Sequence, residues 1–91
     1  MKKAESNHLS KVAELGCIVC FNNGYEDTPA EIHHIGNSAM GKRATNYETI
    51  PLCHIHHRTG GYGVAVHSGR AQWEVNFGDE QDLLEQVRGI L

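Results

Sequence analysis

The sequence predicts a small α+β fold in which two short strands sit between helices at the two ends of the chain. Three observations predict it. Apolar residues recur at helical spacing near both ends, in residues 5–15 and 79–91. Two short stretches, 30–35 and 48–52, have the length and composition of strands. Around them lie the half-sites Cys17-x2-Cys20 and Cys53-x2-His56, whose spacing suits a tetrahedral metal ion.

The elements follow in order. Leu9, Val12, Ala13 and Leu15 give residues 5–15 one apolar face, and Gly16 can stop that helix. Residues 17–20 form a tight knuckle, and 21–29, with Asn22-Asn23-Gly24 and Pro29, form a loop. In the strand 30–35, Ile32 and His34 fall on one face and Glu31, His33 and Ile35 on the other. Because His33 and His34 point apart on a regular strand, joint action on one substrate requires a twist, bulge or strand end there, and Gly36 allows an ending. Residues 36–46 are a polar connection carrying Lys42-Arg43. In the second strand, 48–52, Pro51 must occupy a position that needs no ladder hydrogen bond. Cys53 to Arg58 is expected to start a helix ended by the glycines at 60–63, and 64–67 is too short to assign. Ala71, Trp73 and Phe77 lie on a further helix. Asp79 can cap the last one, where Leu83, Leu84, Val87, Ile90 and Leu91 form a stripe that serves the core or a dimer equally well.

The 91 residues read as a single domain, 1–91, of a size that buries only about two-thirds of its unfolded surface. A core this thin invites a staple. Three cysteines, an odd number, with seven histidines, fit metal binding better than a disulfide framework and point to a soluble protein of a reducing compartment. No signal peptide is visible and no run approaches the length of a membrane span. The net charge of −3 weighs against a free-standing nucleic-acid binder. The acids concentrate in residues 71–91, so the tail is expected to carry the acidic excess away from the His and Cys clusters, leaving room for a phosphate-contacting face elsewhere.

Cys17, Cys20, Cys53 and His56 make the first constellation, a structural zinc site; on spacing alone His57 can replace His56 as fourth ligand. Apparent zinc binding free energy of about 10–16 kcal/mol becomes folding free energy in a small domain. The remaining imidazoles His33, His34, His57 and His67 make the second, with His8 and His54 less constrained. A buried His pair needs a reason, and division of labour supplies one: one ring binds a divalent cation while its neighbour activates a water near neutral pH.

The segments Cys17-Ile-Val-Cys20, Ala30-Glu-Ile-His-His-Ile35 and Ile50-Pro-Leu-Cys-His-Ile-His-His57 together resemble the layout of zinc-containing HNH endonucleases of the ββα-metal, treble-clef-like type. More narrowly, Met40-Gly-Lys-Arg-Ala44, the segment through Arg58, the later His67 and the tail (Trp73-Glu74, Phe77-Gly78, Glu80, Leu83-Leu84) resemble the Ref group of phage RecA-dependent nucleases, over roughly residues 12–91. The resemblance implies a metal-dependent DNA endonuclease with His34 as general base. His33 and His57 would be ligands of a catalytic Mg2+ or Mn2+, and His67 a further ligand or phosphate contact. Cys17, Cys20, Cys53 and His56 match its structural zinc. The middle residue of the motif falls at Glu48 by register, with Asn46 the nearest asparagine and the candidate for positioning the base. Lys42, Arg43, Arg58 and Arg70 form the candidate DNA-contacting set. The implied partner is DNA, held in a RecA filament, in the cytoplasm of a bacterial host carrying the phage or prophage. A non-catalytic zinc-finger-like module binding nucleic acid or protein is the competing reading.

Overall fold

The computed structural model describes residues 2–35 and 45–91. Helix α1 (Lys3–Glu14) is followed by the short α2 (Ile18–Asn22), strands β1 (Glu31–His34) and β2 (Thr49–Leu52), and helices α3 (Arg70–Phe77) and α4 (Glu80–Ile90). It is an α+β arrangement, a two-stranded sheet flanked by helices. Of the expected elements, 5–15, 69–77 and the Asp79-capped helix recur with small shifts of boundary. The Asp79 carboxylate accepts from the Gln81 N–H at 2.7 Å, satisfying one of the donors that a helix start leaves unpaired.

The strands pair antiparallel, with Ile32 opposite Pro51 and His34 opposite Thr49. The Ile35 N–H donates to the Glu48 carbonyl at 3.0 Å. Hydrogen-bonded and non-hydrogen-bonded pairs alternate along such a ladder. Counting from that bond puts Pro51 in a non-hydrogen-bonded pair, where its missing N–H costs the sheet nothing. All four β2 residues are buried, and the core gathers around them: Val12 from α1, Ile18 and Val19 from α2, Trp73 from α3, and Leu84 and Val87 from α4. The apolar stripe of α4 enters the core only through Leu83, Leu84 and Val87; Ile90 and Leu91 are exposed.

The stretch after β2 departs from the regular helix that the sequence suggests. Ile55–Thr59 is a widened π-helical turn, closed by the Gly60 N–H donating to the Ile55 carbonyl at 2.9 Å. One extra residue per turn changes where successive side chains point, and such turns are frequent at functional sites. A 3₁₀ turn, Val66–Ser68, follows and carries His67.

Candidate active site and metal centre

Cys17 ends its loop as the N-cap of α2, and its thiol sulfur accepts from the Cys20 N–H at 3.4 Å. That capping arrangement turns both sulfurs towards the end of β2. There Cys53 Sγ lies 3.9 Å from Cys20 Sγ and 3.2 Å from His56 Nδ1. His56 Nδ1 is also 3.7 Å from Cys17 Sγ and 3.6 Å from Cys20 Sγ. Ligands at ordinary Zn–S and Zn–N distances on a tetrahedron stand about 3.6–3.8 Å apart. The four atoms therefore fit a metal such as zinc in a closed set, and His56 rather than His57 faces the sulfurs. Burial pushes the Cys17 thiol up to about 12, so a cation must displace its proton. Burial lowers the His56 pKa and so favours the neutral, ligating ring.

A second set meets on the other side of the π-helical turn. Ligating nitrogens of His33, His57 and His67 lie within 4.8 Å of one another, and His57 Nε2 is 3.0 Å from His67 Nε2. The Gly-rich stretch 60–63 thus brings His67 back to the sheet. Each of the two other imidazoles has a carboxylate against one of its ring nitrogens. His57 Nδ1 is 2.8 Å from Glu31 Oε1, and His33 Nε2 is 2.5 Å from Glu80 Oε2. Carboxylates in that position hold a metal-binding imidazole in one orientation and tautomer. With the Nδ1–H of His57 donated to Glu31, its Nε2 carries the lone pair that faces the trio. Three imidazole nitrogens so arranged suit a divalent cation.

Glu31 is itself gripped by Arg58, whose Nε donates at 3.0 Å to Oε1 and whose Nη2 donates at 2.6 Å to Oε2. The Arg58 guanidinium, then the His57 ring, holds the Glu31 carboxyl down at about 2. Arg58, a candidate phosphate contact by sequence, thus gives one side of its fork to Glu31. Arg70 Nη1 lies 3.7 Å from Glu80 Oε1. Lys42 and Arg43 lie outside the described residues.

Glu80 corrects one expectation. The acidic tail was expected to stay away from the His cluster, but Glu80 is 5% exposed and rests on the buried His33. Glu31 and Glu80 are the two site residues that sequence reasoning missed. For Glu31 a signal existed, since it shares a strand face with His33 two residues on. For Glu80 there was only its position in the tail motif.

His34 ends β1 and is exposed, and its Nε2 is 2.9 Å from Asn46 Oδ1. Asn46 is set by its surroundings: its carbonyl accepts from the Thr49 hydroxyl at 3.0 Å, and its Nδ2 faces Glu5 Oε1 at 3.4 Å. That second contact orients the amide so that Oδ1 faces His34. Glu48, the other candidate for this position, is instead bound up in its own turn. It accepts from the Thr45 N–H at 2.9 Å, and this bond lowers its pKa. Strand β1 ends at His34. His33 and His34 both line one open cleft of 370 Å³, together with Val66, His67, Gly69, Arg70 and Glu80.

Over residues 3–91 the chain matches the model of a family described as recombination enhancement, RecA-dependent nuclease. The chain belongs to this family. Membership makes it a nuclease of a recombination-linked, RecA-dependent group, in keeping with the Ref-like resemblance of its motifs. None of the curated proteins matches the chain. No helix among the described residues of this family member is long and apolar enough to cross a membrane.

Proposed function

We propose that residues 1–91 form one HNH-type endonuclease domain that hydrolyses DNA phosphodiester bonds. One observation carries the reading: His34, held by Asn46, shares a cleft with His33 and His67 of the imidazole trio. In this reading the Nε2–H of His34 is donated to Asn46 Oδ1, which leaves the Nδ1 lone pair free. Nδ1 takes a proton from water as the water oxygen bonds to phosphorus and the bond to the leaving sugar oxygen breaks. His33, His57 and His67 would hold a divalent cation such as Mg2+ or Mn2+, which when bound would supply charge stabilisation to the phosphoryl oxygen and the leaving alkoxide. Glu31 and Glu80 keep two of those rings oriented, and Arg70 at the cleft wall contacts the phosphate. Arg58 serves mainly by fixing Glu31, while Lys42 and Arg43 join the DNA contacts on sequence grounds. Cys17, Cys20, Cys53 and His56 hold a structural zinc that ties α2 to the end of β2.

The RecA dependence in the family description supports DNA held in a RecA filament as the substrate. The net charge of −3 agrees with a protein whose own hold on DNA is weak and salt-sensitive and is strengthened by such a partner. The resemblance to phage proteins supports a cytoplasmic setting in a bacterial host. The deciding experiment incubates supercoiled plasmid with the zinc-loaded chain and Mg2+ or Mn2+, with and without a homologous RecA filament. Cleavage by the wild type and none by a zinc-replete His34→Ala variant is the expected result. Intact plasmid under every condition would reject the catalytic reading in favour of a non-catalytic zinc module.

A further inference from the structure

Tyr62 is 74% exposed and Tyr25 69%, the two most exposed large aromatic side chains among the described residues. A singly exposed ring is ordinary on a protein surface, but the chain around Tyr62 holds it in one place. It stands between Gly61 at φ +86 and Gly63 at φ +82, conformations that L side chains rarely adopt. The turn is pinned on both sides. The Gly61 carbonyl accepts from the Ala65 N–H at 2.8 Å, and the Gly63 carbonyl accepts from Asn76 Nδ2 at 2.8 Å. The Tyr62 ring lies across Gly69, so close that a Cβ on Gly69 would meet Cδ1 and Cε1 at 2.8 Å. Gly69 and its neighbour Arg70 line the cleft with His34 and His67. The ring thus packs on a residue of the cleft wall, next in sequence to Arg70, without itself lining the cleft.

We infer that Tyr62 is a stacking platform for a nucleobase next to the scissile phosphate, which selects DNA whose base is unpaired or swung out of the helix. The inference rests on the nuclease reading and adds a substrate class to it. A base within a regular duplex keeps its faces covered by its neighbours, whereas an unstacked base offers a π-face that an exposed tyrosine can cover. Stacking of this kind tolerates any base and adds to backbone contacts such as that of Arg70.

The test uses the full zinc-loaded chain carrying His34→Ala, so that bound DNA stays uncut. The probe is a single-stranded oligonucleotide with one 2-aminopurine, beside a matched oligonucleotide with an abasic site there. Wild-type Tyr62 should quench the 2-aminopurine on binding. Tyr62→Ala should bind roughly 5- to 150-fold more weakly, without quenching. Tyr62→Phe should behave as wild type. Tyr62→Leu keeps apolar bulk over Gly69 without an aromatic face, and should follow Tyr62→Ala with zinc content unchanged. On the abasic oligonucleotide all these variants should bind alike. Equal binding by wild type, Tyr62→Leu and Tyr62→Ala overturns the platform, as does an equal loss on the abasic strand or no binding by the wild type. Full plasmid cleavage by a Tyr62→Leu chain with His34 intact, together with any of these three results, leaves the nuclease reading standing alone; no cleavage by wild type removes both.

Discussion

His56 and His57 are adjacent in the chain and face different clusters. His56 Nδ1 lies 3.2 Å from Cys53 Sγ, whereas His57 Nε2 lies 3.0 Å from His67 Nε2. The widened turn at Ile55–Thr59 carries both rings, one towards the sulfurs and one towards the sheet.

Substituting the two should therefore separate stability from activity. His56→Ala removes one of four ligands, and apparent zinc binding of about 10–16 kcal/mol matches or exceeds the whole stability of a typical domain, about 5–15 kcal/mol. The variant is expected to lose zinc and unfold, seen by circular dichroism and metal analysis. His57→Ala should keep one zinc and its fold and lose DNA cleavage. Two variants that behave alike would contradict the division.

His34→Ala should lower the cleavage rate by about 10²–10⁴-fold, the range for loss of a general base. Asn46→Asp offers a sharper test. A carboxylate facing His34 Nε2 stabilises the imidazolium and raises the pKa of the base. The basic form then appears at higher pH, so the rising limb of the pH–rate profile should move upward. An unmoved limb would remove Asn46 from the base's surroundings.

Glu31→Gln and Glu80→Gln should each weaken metal binding at the imidazole trio by about 10–100-fold while sparing the thiolate site. Co2+ titration distinguishes the two, since only the Cys-containing site gives thiolate charge-transfer absorption. Glu80→Ala should also cost about 1–3 kcal/mol of stability, because His33 is buried and would lose its partner.

Acid unfolding should follow the metal rather than Glu31. A carboxylate held down at about 2 contributes its stability fully above its ordinary value near 4.5 and loses it only as the pH falls through the folded value. Thiolate and imidazole ligands take up protons well above that window. Zinc release, followed with a chromogenic chelator, should therefore coincide with loss of ellipticity above about pH 4.5. Arg58→Ala should leave that midpoint in place.

Zinc uptake should release protons, and its apparent affinity should rise with pH. The sign follows from Cys17, whose thiol must give up its proton whether it starts as an ordinary thiol in the unfolded chain or in the fold, where burial pushes it up to about 12. His56, with its pKa lowered by burial, is already neutral. Calorimetry in buffers of different ionisation enthalpy measures the proton count, and a pH-independent affinity would contradict this account.

Local chemistry was enough to read much of this from the sequence. A two-residue gap between ligands, the Asp79 cap, the apolar faces of α1 and α4 and the strand bearing His33-His34 all depend on residues a few positions apart. The clustering of Cys17, Cys20, Cys53 and His56 was legible for the same reason: each half-site is local, and zinc's demand for four ligands pairs the halves. Tertiary structure alone decided the rest. Spacing left His56 and His57 open as zinc ligand, and the turn geometry separated them. Register puts Glu48 at the middle position of the motif while the sequence candidate is the nearest asparagine, Asn46; in the fold Glu48 accepts from Thr45 and the Asn46 amide lies beside His34. The return of His67 to the sheet, Arg58 clamping Glu31, and Glu80 beneath His33 all join residues 10 to 47 positions apart. No periodicity encodes such contacts. They exist because packing a thin core around β2 brings the start of α4 and the π-helical turn against the same strand.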